Sequence, residues 1–354
     1  MKSALLLTVI IGFLVTGCSG SRPGNLAGSW YVITLPSPAL VLFNPTGAEY
    51  RSAGTTPSDT IFLAHTFDDS VRASLFLPRF VFTGSAGRLG TQENDFSRPV
   101  DLTAALSVAG EPRFLITDAG NRRLSVCGSS GDFLFAMPVS AGEEPLSAIE
   151  CGNGNYLVAD CALRALFIID RFGKSNEPIL SLCNRPLSNR LKVRMGRFNR
   201  ILCVDTRNDR VLYLDQQGHC VAEFSRAGGL FFSRPSDACF FTNTICVLDQ
   251  GNGRVASLRE NGALNQTQPA NTLSSPDFMV ACGSLLLVFS EEGRCSFFDI
   301  DLRRGPLVTL GKRFVSGIAA GQGRVALLSR EENLLALYRL DLEKSGEAWA
   351  RRLP

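Results

Sequence analysis

Histidine is almost missing from this chain of 354 residues, which holds only His65 and His219. The shortage excludes several chemistries. There is no His-Glu-x-x-His pair and no Cys/His cluster with zinc spacing. His219 sits in a Gly218-His219-Cys220 turn, where an exposed polar residue is expected, and His65 ends an apolar run. No Gly-x-Ser-x-Gly elbow presents a serine nucleophile, and Gly128-Ser129-Ser130-Gly131 reads as a hairpin turn. The Gly-rich segment 152–155 lacks the Lys and the following helix of a phosphate loop. Long helical periodicity is absent too. So is any apolar run of the roughly 20 residues a membrane-spanning helix needs. The formal charge is only +3 and the basic residues are scattered, which is no nucleic-acid footprint.

What is there begins at the N-terminus. Lys2 precedes an apolar run from Ala4 to Val15, the length of a signal-peptide core. The run ends in Val15-Thr16-Gly17-Cys18, which resembles the bacterial lipobox. Small residues suit a peptidase groove, and the Cys18 thiol would carry a diacylglycerol thioether. Several acyl chains, at about 0.8 kcal/mol per buried CH2, hold a protein firmly on a bilayer. Residues 1–17 are therefore expected to be a removed leader. Residues 18–28, small, polar and Gly/Pro-containing, are expected to be a flexible tether. Ser19 in place of Asp favours the outer over the inner membrane.

Ten further cysteines follow Cys18 without a Cys-x-x-Cys pair. Most sit inside apolar runs and read as small buried residues. The best disulfide candidate is Cys239–Cys246, which would lie opposite each other across a Thr242-Asn243 turn. The hydrogen-bonded position they would occupy suits a disulfide less well.

The remaining sequence repeats itself. Phe114–Val126, Ile201–Tyr213 and Ile245–Ser257 each hold an apolar run, then Asp-x-x-Asn-x-Arg, then a second apolar run. The triplets are Asp118, Asn121, Arg123; Asp205, Asn208, Arg210; and Asp249, Asn252, Arg254. Weaker copies centre on Asp160, Ser290 and Ser329, so successive centres lie 39 to 45 residues apart. That period is one four-stranded propeller blade. First strands follow Pro or a small residue, as in Pro99-Val100-Asp101 and Pro235-Ser236-Asp237. Gly-bearing turns such as Gln217-Gly218 precede short edge strands. An all-β propeller of four-stranded blades is expected over residues 29–354. Six repeats run from Pro99 to Leu340. The strand-like runs within 29–97 favour a seventh blade, with one strand closing the ring against the C-terminus; six or eight remain open.

The Asp-x-x-Asn-x-Arg turns resemble the NHL-repeat family of β-propellers. The lead-ins Gly90 to Pro99 and Phe231-Phe232-Ser233-Arg234-Pro235 carry the same resemblance. Because the triplets recur once per blade, they read as turn caps and ion pairs rather than an active site. No catalytic residue, metal ligand or cofactor stands out. The expected function is a non-enzymatic, lipid-anchored scaffold that binds envelope proteins on the periplasmic or outer-membrane face. One alternative is a metal-dependent lactonase or lyase, because some relatives of the class place a metal in the central channel on Glu, Asn and Asp. Another is a glycan binder, which the scarcity of Trp, only Trp30 and Trp349, disfavours.

Overall fold

The computed structural model describes residues 29–34, 40–42, 49–52, 60–65 and 70–351, except 109–110, 140–143, 152–153, 197–198, 271–272, 300–301, 303 and 322. Cys18, the expected leader 1–17 and the expected tether 18–28 lie outside the described residues. The chain divides into two units, Phe80–Asp341 and the segments Met1–Arg79 with Leu342–Pro354.

The larger unit is a ring of six blades. Blade 1 comprises Pro99–Val108, Glu111–Asp118, Arg123–Cys127 and Phe133–Pro138. Blade 2 has Pro145–Glu150, Tyr156–Asp160 and Ala165–Ile169. Its fourth place is taken by Ile179, which exchanges two backbone hydrogen bonds with Leu166, of 3.0 and 2.8 Å. Blade 3 is Leu191–Met195, Ile201–Asp205, Arg210–Leu214 and Cys220–Phe224. Blade 4 is Pro235–Phe241, Thr244–Asp249, Arg254–Leu258 and Leu264–Pro269. Blade 5 is Pro276–Cys282, Leu285–Ser290, Arg294–Phe298 and Arg304–Thr309. Blade 6 takes Ser316–Ala319, Arg324–Ser329 and the first part of Leu334–Arg351. Its outer strand is the part of Ser70–Ala86 from Phe80 onward, ahead of blade 1 in sequence. Neighbouring first strands pack on one another around the ring, with blade 6 meeting blade 1.

The favoured count of seven is thus corrected to six. One strand of the N-terminal region suffices to close the ring and remove its open edges. Thr83 Oγ1 donates to the Leu337 carbonyl at 3.1 Å across this closure. Phe80 packs on Tyr338 of blade 6 and on Phe289 and Phe297 of blade 5. The remaining early runs pair otherwise. Ser29–Thr34, Thr60–His65 and Glu49–Ser52 form their own antiparallel sheet in the smaller unit.

The core lies in the seams between blades, and this explains why the second strands are apolar at nearly every position. In blade 2, Tyr156 and Val158 face the seam with blade 1, among Leu115, Leu124 and Val126. Leu157 and Ala159, one residue out of phase, face blade 3 among Val193, Cys203 and Leu212. The period of two survives, but both faces are covered, so both phases must be apolar.

Cysteine placement follows the same logic. Cys127, Cys203, Cys246, Cys282 and Cys295 are buried free thiols. Cys239 and Cys246 do stand opposite each other in register, yet both are free. The disulfide is Cys183–Cys220, with Cα atoms 5.7 Å apart. It joins the small hairpin Ser181–Leu182/Arg185–Pro186 to the outer strand of blade 3. Sequence spacing held no hint of it, because the two cysteines meet only through the fold.

Candidate functional site at the mouth of the channel

The repeat triplets are brought together as three closely similar turns. Asn121 Nδ2 and Arg123 Nε donate to Asp118 Oδ2 at 2.7 and 2.9 Å. Asn208 and Arg210 do so to Asp205 Oδ2, at 2.8 and 2.9 Å, and Asn252 and Arg254 to Asp249 Oδ2, at 2.8 and 2.7 Å. The other oxygen of each Asp accepts a backbone N–H from the loop leading into the blade: Ser97, Ser188 or Ser233. Asn and Arg then donate to carbonyls of that loop, such as Gly90 and Asp95 in blade 1. Each triplet therefore pins the turn between strands two and three to the lead-in. After each Asp comes a short 3-10 turn and then a left-handed residue: Arg122, Asp209 or Gly253.

These pinned turns frame one face of the ring, and the channel opens there. Four first strands begin alike. Pro99, Pro145, Pro235 and Pro276 sit opposite the repeat centres, and each is followed by a one-residue bulge. A bulge re-aims its side chain. The four bulged residues, Val100, Leu146, Ser236 and Asp277, all line a cavity of about 510 Å³ at the mouth. The residue just after the repeat centre lines it too in four blades: Cys161, Thr206, Glu291 and Arg330.

Below the mouth the axis is closed by charge. Arg194 of blade 3 lies 2.8 Å from Asp101 of blade 1 and 3.0 Å from Asp237 of blade 4. Ser147 of blade 2 donates to Asp101 Oδ2, and Ser316 of blade 6 donates to Asp101 Oδ1 at 2.6 Å. Blade 5 contributes the Met279 N–H, which donates to Asp237 Oδ2 at 3.0 Å. All six blades thus meet in one hydrogen-bonded knot, with both carboxylates at most 1% exposed. Burial disfavours the Arg194 charge, but Asp101 and Asp237 more than reverse this and hold the guanidinium's pKa above its ordinary value.

The mouth itself is rich in cations. Arg190, Lys192 and Arg207 come from blade 3 and its lead-in, and Arg313 and Arg330 from blade 6 and its lead-in. Three acids, Asp277, Glu291 and Glu331, oppose them. Arg313 is spent on Glu331 at 3.4 Å, and Lys192 Nζ donates to the Asp277 carbonyl at 3.2 Å.

A resident metal ion fits these residues poorly. Among the described residues no three His, Cys, Asp or Glu side chains gather to hold one. Asn189 joins Asp277 and Glu291 in the cavity, but both carboxylates come from blade 5 and the walls around them are cationic. Asp101 and Asp237 are already committed to Arg194. His219 is no closer to serving: it is 77% exposed in a turn between strands three and four, on the opposite face of the ring, where it pairs with Asp215 at 3.1 Å.

No family model matches this sequence, and no curated protein matches it. Solved structures do. A streptogramin B lyase aligns at TM-score 0.53 with 14% identity, over 76% of this chain and 89% of the lyase. A catalytically inactive His-to-Ala variant of virginiamycin B lyase from Staphylococcus aureus, with quinupristin, aligns at TM-score 0.51 with 11% identity, over 75% of this chain and all of that one. A gluconolactonase from Xanthomonas campestris aligns at TM-score 0.50 with 14% identity, over 74% and 98%. At such identity the likeness shows the fold, an all-β propeller.

The residues of the mouth escaped the sequence reading, although a signal was present. Once a repeat is recognised, positions that vary inside an otherwise constant frame mark the surface that is not doing structural work. Thr206-Arg207, Glu291 and Arg330 are such departures.

Proposed function

We propose that this chain is a non-enzymatic, NHL-like propeller, carried on the cell envelope by an acylated Cys18, that binds an envelope protein as a scaffold. One observation carries the reading: the axis is filled by the Asp101–Arg194–Asp237 knot, whose charged groups are, among the described residues, committed to one another. The Cys183–Cys220 disulfide supports residence in an oxidising compartment such as the periplasm or outer surface. The lipobox-like Val15 to Cys18 supports the anchor.

The rival is a metal-dependent lactonase or lyase. The joint presence of Asn189, Asp277 and Glu291 in the cavity favours it, and the cationic walls oppose it. Affinity capture of the lipidated full chain from its native membranes, with metal analysis of the same preparation, separates the two. A stable protein partner with substoichiometric metal is expected. One bound metal per chain together with hydrolysis of small lactones would overturn the scaffold reading.

A further inference from the structure

The repeat supplies its own internal control for the mouth. In blades 1 and 4 the second residue after the repeat Asp is glycine, Gly120 or Gly251. A Cβ there would fall 2.4 Å from the Ser97 carbonyl oxygen or 2.6 Å from that of Ser233. Both glycines donate their N–H to those same carbonyls at 2.7 Å. Blades 2 and 5 bond instead through the residue just after the repeat centre, Cys161 N–H to the Glu144 carbonyl and Glu291 N–H to that of Ser275, and so does blade 3. Its turn bonds one residue earlier, Thr206 N–H to the Arg190 carbonyl at 3.1 Å, and the glycine position becomes Arg207. The shift makes room for a long cationic side chain that lines the cavity.

Arg207 has matching company. Arg190 stands on the same wall, at the lead-in to blade 3, and Arg330 on blade 6. All three are exposed, and no carboxylate pairs with any of them among the described residues. That contrasts with Arg123, Arg194, Arg210, Arg254 and Arg313, each within 3.4 Å of a carboxylate. In a closed ring of six, blades 3 and 6 stand opposite each other. The free cations therefore form two facing walls. Beneath them the Asp101–Arg194–Asp237 knot carries one net negative charge, which keeps an anionic group off the floor. Blades 1 and 2 add the apolar Val100 and Leu146 between the walls.

We infer that the mouth is a binding site for a small elongated dianion, one anionic end held by Arg190 and Arg207 and the other by Arg330. Guanidiniums match carboxylate and phosphate oxygens with paired hydrogen bonds, so either group suits the ends. A cavity of this size takes a small molecule rather than a folded partner. The proposal goes beyond the scaffold reading and does not depend on it, since a scaffold needs no small ligand.

Calorimetry on the purified full chain in detergent tests it. Dicarboxylates from succinate to suberate are titrated against monocarboxylates of equal length, with pyrophosphate as the phosphate-ended arm. At least one dianion is expected to bind about tenfold or more tighter than its monoanionic counterpart. Arg207→Gly, which restores the residue of blades 1 and 4, and Arg330→Gln on the facing wall should each remove that margin. Arg171→Ala, on the opposite face, should not. Preference for a dicarboxylate or for pyrophosphate names the end group. The inference is overturned if no dianion exceeds its monoanion and pyrophosphate does not bind, or if both wall variants bind as the parent does. Partner capture by Arg207→Gly reports on the scaffold reading separately.

Discussion

Arg194 and Asp101 belong to blades two places apart in the ring, yet their charged groups lie 2.8 Å apart on its axis. The pair, with Asp237, ties the first strands together where no apolar seam reaches. A buried charge cluster of this kind is costly to break because the remaining partners stay desolvated. Arg194→Met is therefore expected to destabilise the ring by about 3 to 5 kcal/mol in urea unfolding. The triple change Asp101→Asn, Arg194→Met, Asp237→Asn should recover most of that loss. A single variant costing under about 1 kcal/mol would show that the axis is wet and the charges solvated.

Backbone strain separates two neighbouring positions of the blade 1 turn. Arg122 is left-handed at φ 48°, where blade 4 has Gly253 at φ 61°. Arg122→Gly should raise stability by up to about 1 kcal/mol, net of glycine's greater freedom when unfolded. Gly120→Ala should lower it by about 1 to 3 kcal/mol, because the new Cβ meets the Ser97 carbonyl. Thermal melts of the two variants should move in opposite directions; a shared direction would contradict the turn geometry.

Buried thiols make the ring sensitive to alkali. Burial raises Cys127 and Cys246 to about 12 and Cys151 to about 11. An unfolded thiol ionises near 9 while the folded one stays neutral. The stability they contribute is thus fully present below pH 9 and is lost as pH rises from there towards the folded values. Each thiol should steepen the decline by about 1.4 kcal/mol per pH unit. Unfolding midpoints compared between pH 8 and 10 for the parent and Cys127→Ala give the share of one thiol. Identical slopes would refute it.

The Cys183–Cys220 crosslink spans 37 residues and fixes a hairpin outside the blades. A loop of this length restricts the unfolded chain enough that a double Cys→Ser change should cost about 3 to 4 kcal/mol. The ring should still form, since neither cysteine belongs to a first or second strand. Mass spectrometry of the non-reduced chain should find this bond and leave Cys239 and Cys246 alkylatable after unfolding. A Cys239–Cys246 bond would contradict the pairing.

Legibility in the sequence followed distance along the chain. Each Asp-x-x-Asn-x-Arg turn is complete within six residues, so Asp118, Asn121 and Arg123 announce their own hydrogen bonds. The blade period was readable for the same reason. The blade count was not, because it turns on contacts such as Thr83 with Leu337, 254 residues apart. Nor was the axial knot, where Asp101, Ser147, Arg194, Asp237 and Ser316 meet from five blades. Arg207 was visible only as a blemish in a repeat until the ring showed what that position faces.

The closing strand of blade 6 has a temporal consequence. Synthesis delivers residues 80–86 before every blade and their partner strand at Leu334 after five of them. Throughout that interval the closing strand lacks its partner in blade 6, and the growing arc keeps an adhesive edge at each end. Blades can form one by one as they emerge, but the last step must gather two distant pieces of chain. The ring is sealed late and all at once, and a chain cut short before Leu334 would be left an open arc, with its closing strand free to join a neighbour's sheet.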